Sequence, residues 1–591
     1  MSKTPLFSRV RFLFQRAMIA KRLGLDDRAP ADREKIDAAH RALVEQGARD
    51  RATWRANRRR FLEAMGATGA VVGLAGTAGC GPAPDGDAGP DEDRRVLVIG
   101  GGIAGLHCAY RLHAAGVDVT LFDSADRVGG RMYTAGGLFL DDQLCELGGE
   151  LIDTNHATLW ALAEEFDIAL DDRFSFIEAG QRAELAYVNG AVVDEATLVT
   201  QMGAVADVMA TTLDAAENDD TAFETTDNIS LQQWLDDNVP PATYPELHAV
   251  LATAYRGEYG LEIDEQSCLN LLYLIDFEVT DPFHIFGDSD ERWHTHLGNE
   301  EFPKKLAAGI DVDRIHTSHA LTKLADKEGG GFVATFTDGA GAEVTFEAEH
   351  VVLALPFTRL REVDLTELTL SDDKREIIEN IGYGTNAKVM VGFSSRFWNT
   401  AGDTGSLTTD LSVQQTWDTS VGQDGASGIL TNFLGGDQGL AAGNGTKEAW
   451  ATGVVLPDLE AVWPGITAAA TGTVERMHWP THAHTKGSYT CYRPGQWAYW
   501  SLEGAREGNV HFCGEHCSLD FQGWMEGAAE TGGLAAKEIL DDAGIALSSA
   551  HMAAIESALA SAEAARVGGG GTSFLRRRRA VRRAIRAAIE G

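Results

Sequence analysis

Two thiols, an imidazole and a carboxylate fall within five residues in the segment Cys513-Gly-Glu-His-Cys517. Side chains of these types can bind a metal ion or form a redox pair. A zinc site needs two further ligands, and no second Cys-x-x-Cys or His-x-x-His lies nearby in the sequence. A redox pair favours two spacer residues, and here there are three. The sequence therefore predicts no metal site, but a strand that starts at Val510 and runs into a turn at Gly514 and Glu515.

A second group of candidate residues is a glycine-rich turn close to residue 100. The apolar residues 96–99 predict a strand, and Gly100, Gly102 and Gly105 follow it as G-x-G-x-x-G before an amphipathic helix that runs to about Ala115. The first glycine permits the turn, the second lets the backbone approach a pyrophosphate, and the third lets the helix pack on the strand. The N-terminus of the helix would then face the phosphates.

An acidic residue completes this pattern. Residues 117–122 predict a second strand that ends at Asp123, 18 residues after Gly105, where a carboxylate can bond the hydroxyl groups of a ribose. Strand, helix and acid together predict a dinucleotide site. They do not distinguish NAD from FAD.

The residues that follow select the cofactor. Val128-Gly-Gly-Arg131 resembles the GG motif of flavin-containing amine oxidases, the family of the monoamine, polyamine and L-amino-acid oxidases. The resemblance extends over residues 95–545 and implies FAD as the cofactor. The cofactor contacts that it implies are Gly100, Gly102, Ile103, Ala104, Gly105, Asp123, Ser124, Gly130, Arg131, Gly148, Gly149, Glu150, Leu321, Gly514, Glu515, Trp524 and Met525.

The same resemblance assigns a role to one lysine. Lys388 lies on a predicted alternating strand, before Val389 and Val391, and this strand is expected to end in Phe397-Trp398. On composition alone, a lysine in a strand is usually exposed. In monoamine and polyamine oxidases the matching lysine holds a water molecule against N5 of the flavin, and Lys388 is therefore predicted to be catalytic.

Two aromatic residues match the rings that flank the flavin in monoamine oxidases. They are Tyr489, within the segment GSYTCYRPGQW, and Trp524, within GWMEG. Two such rings form a slot that holds an amine and favours its neutral form by desolvation. Ser488 stands where animal monoamine oxidases carry the cysteine that binds the flavin covalently, so noncovalent FAD is expected. Ala125 departs from the arginine that many relatives have there, which puts one cofactor contact in doubt.

The fold class that follows is α/β. An FAD-binding, Rossmann-like domain of the glutathione-reductase type is expected to be interleaved with an α+β substrate domain built on a mixed sheet and helices. The predicted organisation is a basic N-terminal extension at 1–57, a signal and linker at 58–93, the FAD-binding domain at 94–160, 296–370 and 485–545, the substrate domain at 161–295 and 371–484, and a C-terminal helix, glycine linker and basic tail at 546–591.

The chemistry implied is the removal of two electrons and a proton from a C–N bond. The hydrogen on the carbon passes to flavin N5, the imine hydrolyses, and O2 reoxidises the flavin to give H2O2. An L-amino-acid oxidase needs a cation for the substrate carboxylate, and relatives with that activity have an arginine where this chain has Glu150 and the run LIDTNHATLW. This favours amines, although Arg256 or Arg493 could supply the charge.

Two further hypotheses compete with amine oxidation. A desaturase-like or quinone-linked dehydrogenase could use the same fold, because a fold does not determine a reaction. A catalytically inactive, tethered flavin-binding protein is a hypothesis of a different class. His294 and His296, in DERWHTHLGNEE, are interpreted as solvated or hydrogen-bonding residues rather than as metal ligands.

Charge is distributed unevenly along the chain. Residues 1–60 hold 16 Lys and Arg against 7 Asp and Glu, residues 566–591 hold 8 against 1, and the residues between hold 26 against 80. The acidic middle is poorly suited to nucleic acid, because phosphate binding needs clustered basic residues. It is interpreted either as a solvated surface or as a field that attracts cationic substrates.

The two basic ends of the chain resemble segments that direct export or contact a membrane. Arg58-Arg-Arg-Phe-Leu62 and the apolar run that follows resemble a twin-arginine signal, which implies export from a bacterial or archaeal cytoplasm to the periplasm or another extracytoplasmic compartment. Thr77-Ala-Gly-Cys80 is similar to a lipoprotein cleavage box, so Cys80 could carry a lipid anchor; an ordinary cleaved signal is the alternative. The arginine-rich C-terminal tail could contact an anionic membrane or an acidic partner, or remain solvated. The sequence indicates no oligomeric state.

Overall fold

The computed structural model describes residues 95–275 and 291–546, together with residues 17, 20, 24–26 and 28–39. The signal-like segment, Cys80 and the basic C-terminal tail lie outside these residues. Within the described residues, no helix has both the length and the apolar character needed to cross a membrane.

Strands and helices are interspersed along the described chain. The strands are β1 Val96–Ile99, β2 Val119–Phe122, β3 Thr134–Ala135, β4 Cys145–Glu146, β5 Leu170–Asp172, β6 Leu185–Val188, β7 Ala191–Val192, β8 Trp293–Thr295, β9 Ile315–His316, β10 Ala320–Asp326, β11 Phe332–Thr337, β12 Glu343–Ala348, β13 His350–Leu353, β14 Ala387–Phe393, β15 Leu407–Thr409, β16 Gln415–Asp418, β17 Gly428–Leu434, β18 Ala470–His478 and β19 Val510–Phe512. The helices are α1 Ile103–Ala114, α2 Ala157–Phe166, α3 Glu195–Asn218, α4 Asp220–Asp227, α5 Leu231–Asn238, α6 Pro245–Tyr259, α7 Leu269–Ile275, α8 Glu301–Ala308, α9 Phe357–Leu360, α10 Asp372–Asn380, α11 Phe397–Thr400, α12 Gly436–Ala441, α13 Lys447–Trp450, α14 Leu456–Val462 and α15 Met525–Asp542.

One sheet is parallel and carries the glycine-rich turn. Its strand order is β19-β13-β1-β2-β9. Every residue of β1 is buried, as expected for a central parallel strand that is covered on both faces. The glycine turn after β1 leads into α1, so the predicted strand, turn and helix are confirmed. The second strand begins at Val119 instead of residue 117, because the Val117 amide bonds the Leu112 carbonyl and closes the end of α1.

Close packing of α1 explains two glycines. A Cβ on Gly105 would lie 1.9 Å from the Gly100 carbonyl oxygen, so only glycine lets α1 approach the turn. A Cβ on Gly532 of α15 would lie 2.1 Å from the Ala104 carbonyl oxygen. Helix α15 therefore crosses α1 backbone against backbone, and its N-terminus is fixed relative to the glycine turn.

A second, seven-stranded sheet is mixed. Its order is β18-β14-β17-β16-β15-β6-β7, antiparallel except between β15 and β6. The strand of Lys388, β14, is central and buried at all seven positions, whereas the sequence predicts an alternating strand. It ends at Phe393, so the predicted ending at Phe397-Trp398 is wrong: those two residues begin the short helix α11.

The two sheets draw their strands from different stretches of the chain. The strands of the parallel sheet lie at residues 96–99, 119–122, 315–316, 350–353 and 510–512, and those of the mixed sheet lie within residues 185–192 and 387–478. The first set falls within the segments assigned from sequence to the FAD-binding domain and the second within the substrate segments. Strands β10, β11 and β12 form a separate antiparallel sheet. The domain boundaries themselves stay a prediction.

The long helix α3 belongs to the segment assigned from sequence to the substrate domain. Its apolar side faces a large core cluster. Ala17, from the N-terminal extension, is 2% exposed in that same cluster and lies beside Gly203 of α3. The N-terminal extension therefore contributes at least one residue to the folded core.

Candidate active site

The glycine turn leaves room for a ligand at one position. Apart from its chain neighbours, no atom of the described residues lies within 4 Å of the place that a Cβ on Gly102 would occupy, although Gly102 is half-buried. Gly102 is also the N-cap of α1, and no described side chain caps this helix end. Uncapped N–H groups at a helix N-terminus, next to open space, favour an anionic group. This geometry is what a pyrophosphate requires.

Asp123 lies next to the turn. Its Oδ2 accepts a hydrogen bond from the Gly101 amide at 2.6 Å and its Oδ1 accepts one from the Ala125 amide at 2.7 Å. Burial raises the pKa of Asp123, against the opposing effect of these two N–H donors. The neighbouring Ser124 hydroxyl bonds Nδ1 of His484 at 2.9 Å. The carboxylate is thus fixed at the end of β2, beside the turn that it is predicted to serve.

Arg131 joins three predicted segments. Its Nη1 donates to the Ser488 carbonyl oxygen at 2.6 Å and to Oε1 of Glu515 at 2.9 Å. A Cβ on Gly148 would lie 1.8 Å from the Arg131 carbonyl oxygen, so the second glycine pair packs against the same residue. The GG motif, the GSYT segment and the CGEHC segment therefore meet at Arg131.

Lys388 is buried and faces the segment after the second glycine pair. Its Nζ lies 2.7 Å from Oε2 of Glu150 and 3.2 Å from the Glu146 carbonyl oxygen. The side chains of both Lys388 and Glu150 are only 5% exposed. The sequence predicts Glu150 as a contact of the cofactor, and the structure gives it Lys388 as an ionic partner.

The other oxygen of Glu150 is held by the mixed sheet. Trp417 Nε1 donates to Oε1 at 2.8 Å, and the Thr419 hydroxyl donates to the same atom. Burial alone would raise the pKa of Glu150, but the Lys388 ammonium and these donors outweigh it, and the pKa is lowered. Sequence reasoning missed Trp417 and Thr419, because QTWDT carries no motif that points to residue 150.

Asn299 is a further residue that the sequence did not single out. Its Nδ2 donates to the carbonyl oxygens of Gly149 and Glu150, at 3.0 and 2.8 Å. Its amide donates to Oε1 of Glu146 at 2.7 Å. Burial raises the pKa of Glu146 to about 7, although the Asn299 N–H lowers it. Asn299 therefore fixes the backbone that carries Glu150. The only available signal in the sequence was a polar residue two positions before α8.

Trp524 is positioned by its neighbour Glu526. The Glu526 carboxylate accepts from the amides of Thr158 and Leu159, at 2.7 and 2.8 Å, and so caps the first turn of α2. The Trp524 ring contacts the His156 ring edge-on, with centroids 4.9 Å apart. Its Nε1 is buried and has no hydrogen-bond partner among the described residues.

Tyr489, the other predicted ring of the substrate slot, is held by contacts different from those of Trp524. Its carbonyl oxygen accepts from the Gly384 amide at 2.8 Å, and its hydroxyl donates to the Gly257 carbonyl oxygen at 3.3 Å. Burial, followed by the nearby Glu258, raises the pKa of Tyr489 well above its usual value, so the phenol stays neutral. Met525 packs under Gly149, where a Cβ would lie 2.7 Å from its Cγ and Sδ.

The CGEHC segment has the predicted form. Strand β19 ends at Phe512 and a short turn of helix follows Gly514, whose φ is 144°. Cys513 and Cys517 are buried thiols that are not joined in a disulfide, and the other described cysteines are also buried. Burial lowers the pKa of His516 to about 4, so its ring is neutral.

Two other predictions concern residues away from these contacts. His294 is buried and not solvated, and this burial lowers its pKa to about 4. His296 bonds Asp171 at 2.8 Å. Within the described ranges, no group of three or more His, Cys, Asp and Glu side chains could hold a metal ion. Leu321 lies on β10 and packs half-buried against the core that contains Phe122.

The residues present fit FAD. An uncapped helix N-terminus with open space lies at Gly102, a fixed carboxylate lies at the end of β2, and a buried indole N–H with no partner among the described residues lies at Trp524. These groups could hold the pyrophosphate, the ribose and the ring system respectively. Their individual contacts with the cofactor stay predictions.

Comparison with known proteins agrees with this interpretation. The family model described as flavin containing amine oxidoreductase matches residues 103–540. A putative L-amino-acid oxidase of Bacillus subtilis is 25% identical over 475 residues, covering 76% of this chain and 94% of that protein. A probable flavin-containing monoamine oxidase A of Dictyostelium discoideum is 21% identical over 472 residues, covering 76% of this chain and 97% of that protein.

A solved structure shares the fold. Cyclohexylamine oxidase from Brevibacterium oxydans aligns with a TM-score of 0.65 and 20% identity, over 76% of this chain and all of that one. The relatives include both amine and amino-acid oxidases, so they do not select a substrate. The chain belongs to the flavin containing amine oxidoreductase family and is an FAD-dependent amine oxidase, in which an α/β FAD-binding domain accompanies a substrate domain.

Proposed function

We propose that this enzyme oxidises amines that carry no carboxylate on the reacting carbon. The products are an aldehyde and ammonia or a smaller amine, and O2 takes up the two electrons and two protons to form H2O2. The observation that supports the proposal is the buried pair of Lys388 and Glu150. Near this position the resemblance expects an arginine in amino-acid oxidases, whereas this chain has a carboxylate that pairs with the buried lysine.

The other candidate cations are also paired. A substrate carboxylate that entered a buried site without a counter-charge would be costly, by about 1–3 kcal/mol or more. The arginines that could have met it each have a carboxylate partner: Arg131 with Glu515 at 2.9 Å, Arg256 with Glu262 at 2.8 Å, and Arg493 with Glu265 at 3.1 Å. An amine without a carboxylate meets no such cost.

The protein contributes orientation and desolvation to this reaction. When bound, FAD accepts the hydride from the carbon that carries the amine. Tyr489 and Trp524 are proposed to enclose the amine with two uncharged rings, which favours its neutral form. Because the neutral amine needs no strong base, Lys388 is assigned the role of holding a water molecule instead of removing a proton.

We further propose that FAD is bound noncovalently. Ser488 has no thiol to form a thioether, and its buried hydroxyl donates to Oδ1 of Asn386 at 2.6 Å. Acid precipitation of the purified protein should release all of the flavin into the supernatant. Flavin retained in the pellet would contradict noncovalent binding.

A matched set of substrates tests the main proposal. L-phenylalanine, L-tryptophan and L-tyrosine are compared with phenethylamine, tryptamine and tyramine, since each pair differs only in the carboxylate. We expect anaerobic bleaching of the flavin absorbance by one or more amines, no bleaching by their parent amino acids, and H2O2 when oxygen is readmitted. Bleaching by an amino acid but not by its amine would overturn the proposal.

The second candidate function is L-amino-acid oxidation. It is favoured by the similarity to the putative L-amino-acid oxidase, which spans 94% of that protein. It predicts the reverse result in the same experiment, with a 2-oxo acid as the product. Bleaching without H2O2 on readmission of oxygen would instead favour a dehydrogenase that uses another acceptor.

We also propose that the protein is exported by the twin-arginine route, and removal of the leader would change the folded core. Cleavage at or near Cys80 would separate Ala17 from the chain, although Ala17 lies in the core beside α3. Mass spectrometry of the N-terminus in each cell fraction tests this. Export with removal of the leader predicts an extracytoplasmic protein that begins close to residue 80, and an intact N-terminus in the cytoplasm would contradict it.

A further inference from the structure

We propose that Glu150 is a positioning residue that pairs with Lys388 and fixes the direction of its Nζ, and that Trp417 and Thr419 hold Glu150 in turn. This inference rests on the proposed function, in which Lys388 acts beside the flavin. It changes the role predicted for Glu150, from a contact of the cofactor to a partner of the lysine.

The surroundings of Lys388 leave it dependent on Glu150. Strand β14 is buried along its whole length, and the residues paired with Lys388 on the two neighbouring strands are Phe433 and Met477. These side chains offer no charge. A buried ammonium without a counter-charge tends to lose its proton. Glu150 is the carboxylate in hydrogen-bond contact with it, at 2.7 Å.

The direction of Nζ is defined by two acceptors. An ammonium group has three N–H bonds. Among the described residues, Nζ of Lys388 donates to Glu150 Oε2 and to the Glu146 carbonyl oxygen. Two fixed acceptors set the direction of the third N–H, which remains for a water molecule or a cofactor atom. The Trp417 ring lies 5.3 Å from Nζ and adds a cation–π contact.

Glu150 is itself held on both oxygens. One oxygen accepts from Lys388, and the other accepts from Trp417 Nε1 and the Thr419 hydroxyl. Trp417 lies on strand β16 and Thr419 directly follows it, while Glu150 follows the second glycine pair of the cofactor-binding half. The network therefore joins the two halves of the molecule at the predicted reacting centre.

The other ionisable groups around this pair come from several elements. Glu146 lies on the same segment and has a pKa of about 7, raised chiefly by burial. Cys145 beside it has a raised pKa, also through burial. From neighbouring elements come His294, with a pKa of about 4, and Glu475, which is paired with Lys447 at 2.8 Å. None of these four replaces Glu150 as the partner of Lys388.

A double-mutant cycle in the FAD-loaded enzyme tests the dependence. The variants are E150Q, K388M and the double variant, and the readouts are the rate of flavin reduction per bound FAD and the flavin midpoint potential. If Glu150 acts through Lys388, we expect K388M to slow reduction about 100-fold, E150Q about 10-fold, and the double variant no more than K388M. The E150Q change in potential should also vanish in the K388M background.

The inference is overturned if the E150Q and K388M substitutions slow flavin reduction by independent, multiplying factors. If the double variant is about 1000-fold slower, or if E150Q lowers the affinity for FAD equally with and without Lys388, Glu150 serves the cofactor directly. The midpoint potential is obtained by reductive titration and needs no amine. A failure of the proposed substrate class is therefore distinguishable from a failure of this inference.

Thr419 offers a milder test with a matched control. T419S keeps the hydroxyl that donates to Glu150, and T419V removes it. Thr431, on β17, is the cross-strand neighbour of Trp417, and its buried hydroxyl has no hydrogen-bond partner among the described residues. T431V therefore removes a hydroxyl next to the network without removing any of its hydrogen bonds. Melting temperature and FAD content show that each variant folds.

The pH profile of flavin reduction distinguishes these variants. We expect T419V to shift the acidic limb of the profile to higher pH, because the Thr419 hydroxyl is one of the donors that lower the pKa of Glu150, and we expect T419S and T431V to match the wild-type profile. Rescue by T419S would indicate that the hydroxyl itself carries the effect. Identical profiles for T419V and T431V would overturn the inference.

Discussion

Two ion pairs connect the segments of this site, and they differ in burial and in what they join. Arg131 and Glu515 link two cofactor-binding segments, and the arginine side chain remains 24% exposed. Lys388 and Glu150 link the cofactor-binding half to the mixed sheet, and each is 5% exposed. The first pair lies within one half of the molecule, and the second crosses between the halves.

This difference in burial determines the free energy of folding that is lost when one partner of each pair is removed. Solvent can reach Arg131, so loss of Glu515 exposes it to water and costs about 1 kcal/mol or less. Lys388 and Glu150 have no such access, and loss of either partner leaves an uncompensated buried charge, at a cost of about 3–5 kcal/mol. The buried pair should therefore dominate both stability and function.

The largest effect is expected for Lys388→Met. Unfolding by guanidinium should show a loss of about 3 kcal/mol, together with slower flavin reduction, because Glu150 must then be protonated or stay unpaired. Lys374→Met is the control, since Lys374 is also buried but donates to the carbonyl oxygens of Leu502 and Glu503. It should lose stability and keep the reduction rate; equal slowing in both variants would contradict a special role for Lys388.

The next effect concerns pH and Glu146. Its folded pKa of about 7 lies above the ordinary value of 4.5, so the folded state binds the proton more tightly than the unfolded state. Stability is therefore highest below about pH 4.5 as far as this group is concerned, and it falls by about 3 kcal/mol as the pH rises to about 7. Glu146→Gln should flatten this part of the stability profile, and an unchanged slope would contradict the assignment.

A smaller effect is expected at the more exposed pair. Arg131→Met removes a charge-assisted bond to Glu515 and a bond to the Ser488 carbonyl, so FAD affinity should fall by about 2 kcal/mol, or about 30-fold. Fluorescence titration of the apoprotein with FAD measures this. If Glu515→Gln, which leaves the partly exposed Arg131 without this partner, destabilised the fold as much as Lys388→Met, the contrast between the two pairs would not hold.

The smallest effect is expected for Tyr489→Phe. The change keeps the ring and removes a weak hydrogen bond, 3.3 Å long, to the Gly257 carbonyl oxygen. We expect a decrease of about 2- to 5-fold in kcat/KM for an accepted amine, about 1 kcal/mol or less. Tyr489→Ala should lower kcat/KM further because the wall of the slot is lost, and equal values for the two variants would indicate that the ring is not needed.

The sequence predicted the cofactor-binding half of this site better than the part that the mixed sheet supplies. The strand, glycine turn and helix around Gly102 follow from local spacing, because a β-α unit brings neighbouring residues together. The partners of Glu150 do not: Trp417 and Thr419 lie 267 and 269 residues away along the chain, and only the pairing of β14, β17 and β16 brings them near. The ending of β14 was also misplaced, because a buried central strand has no alternation to reveal its limits.

Glu526 shows how this scaffold could accept new substrates. Because its carboxylate is engaged with the start of α2, the backbone that carries Trp524 is anchored independently of what residue 524 is. The side chain at position 524 can therefore change while the backbone that positions it stays fixed. A library that varies residue 524 and leaves Glu526 intact would sample different slot shapes while the neighbouring helix stays in place.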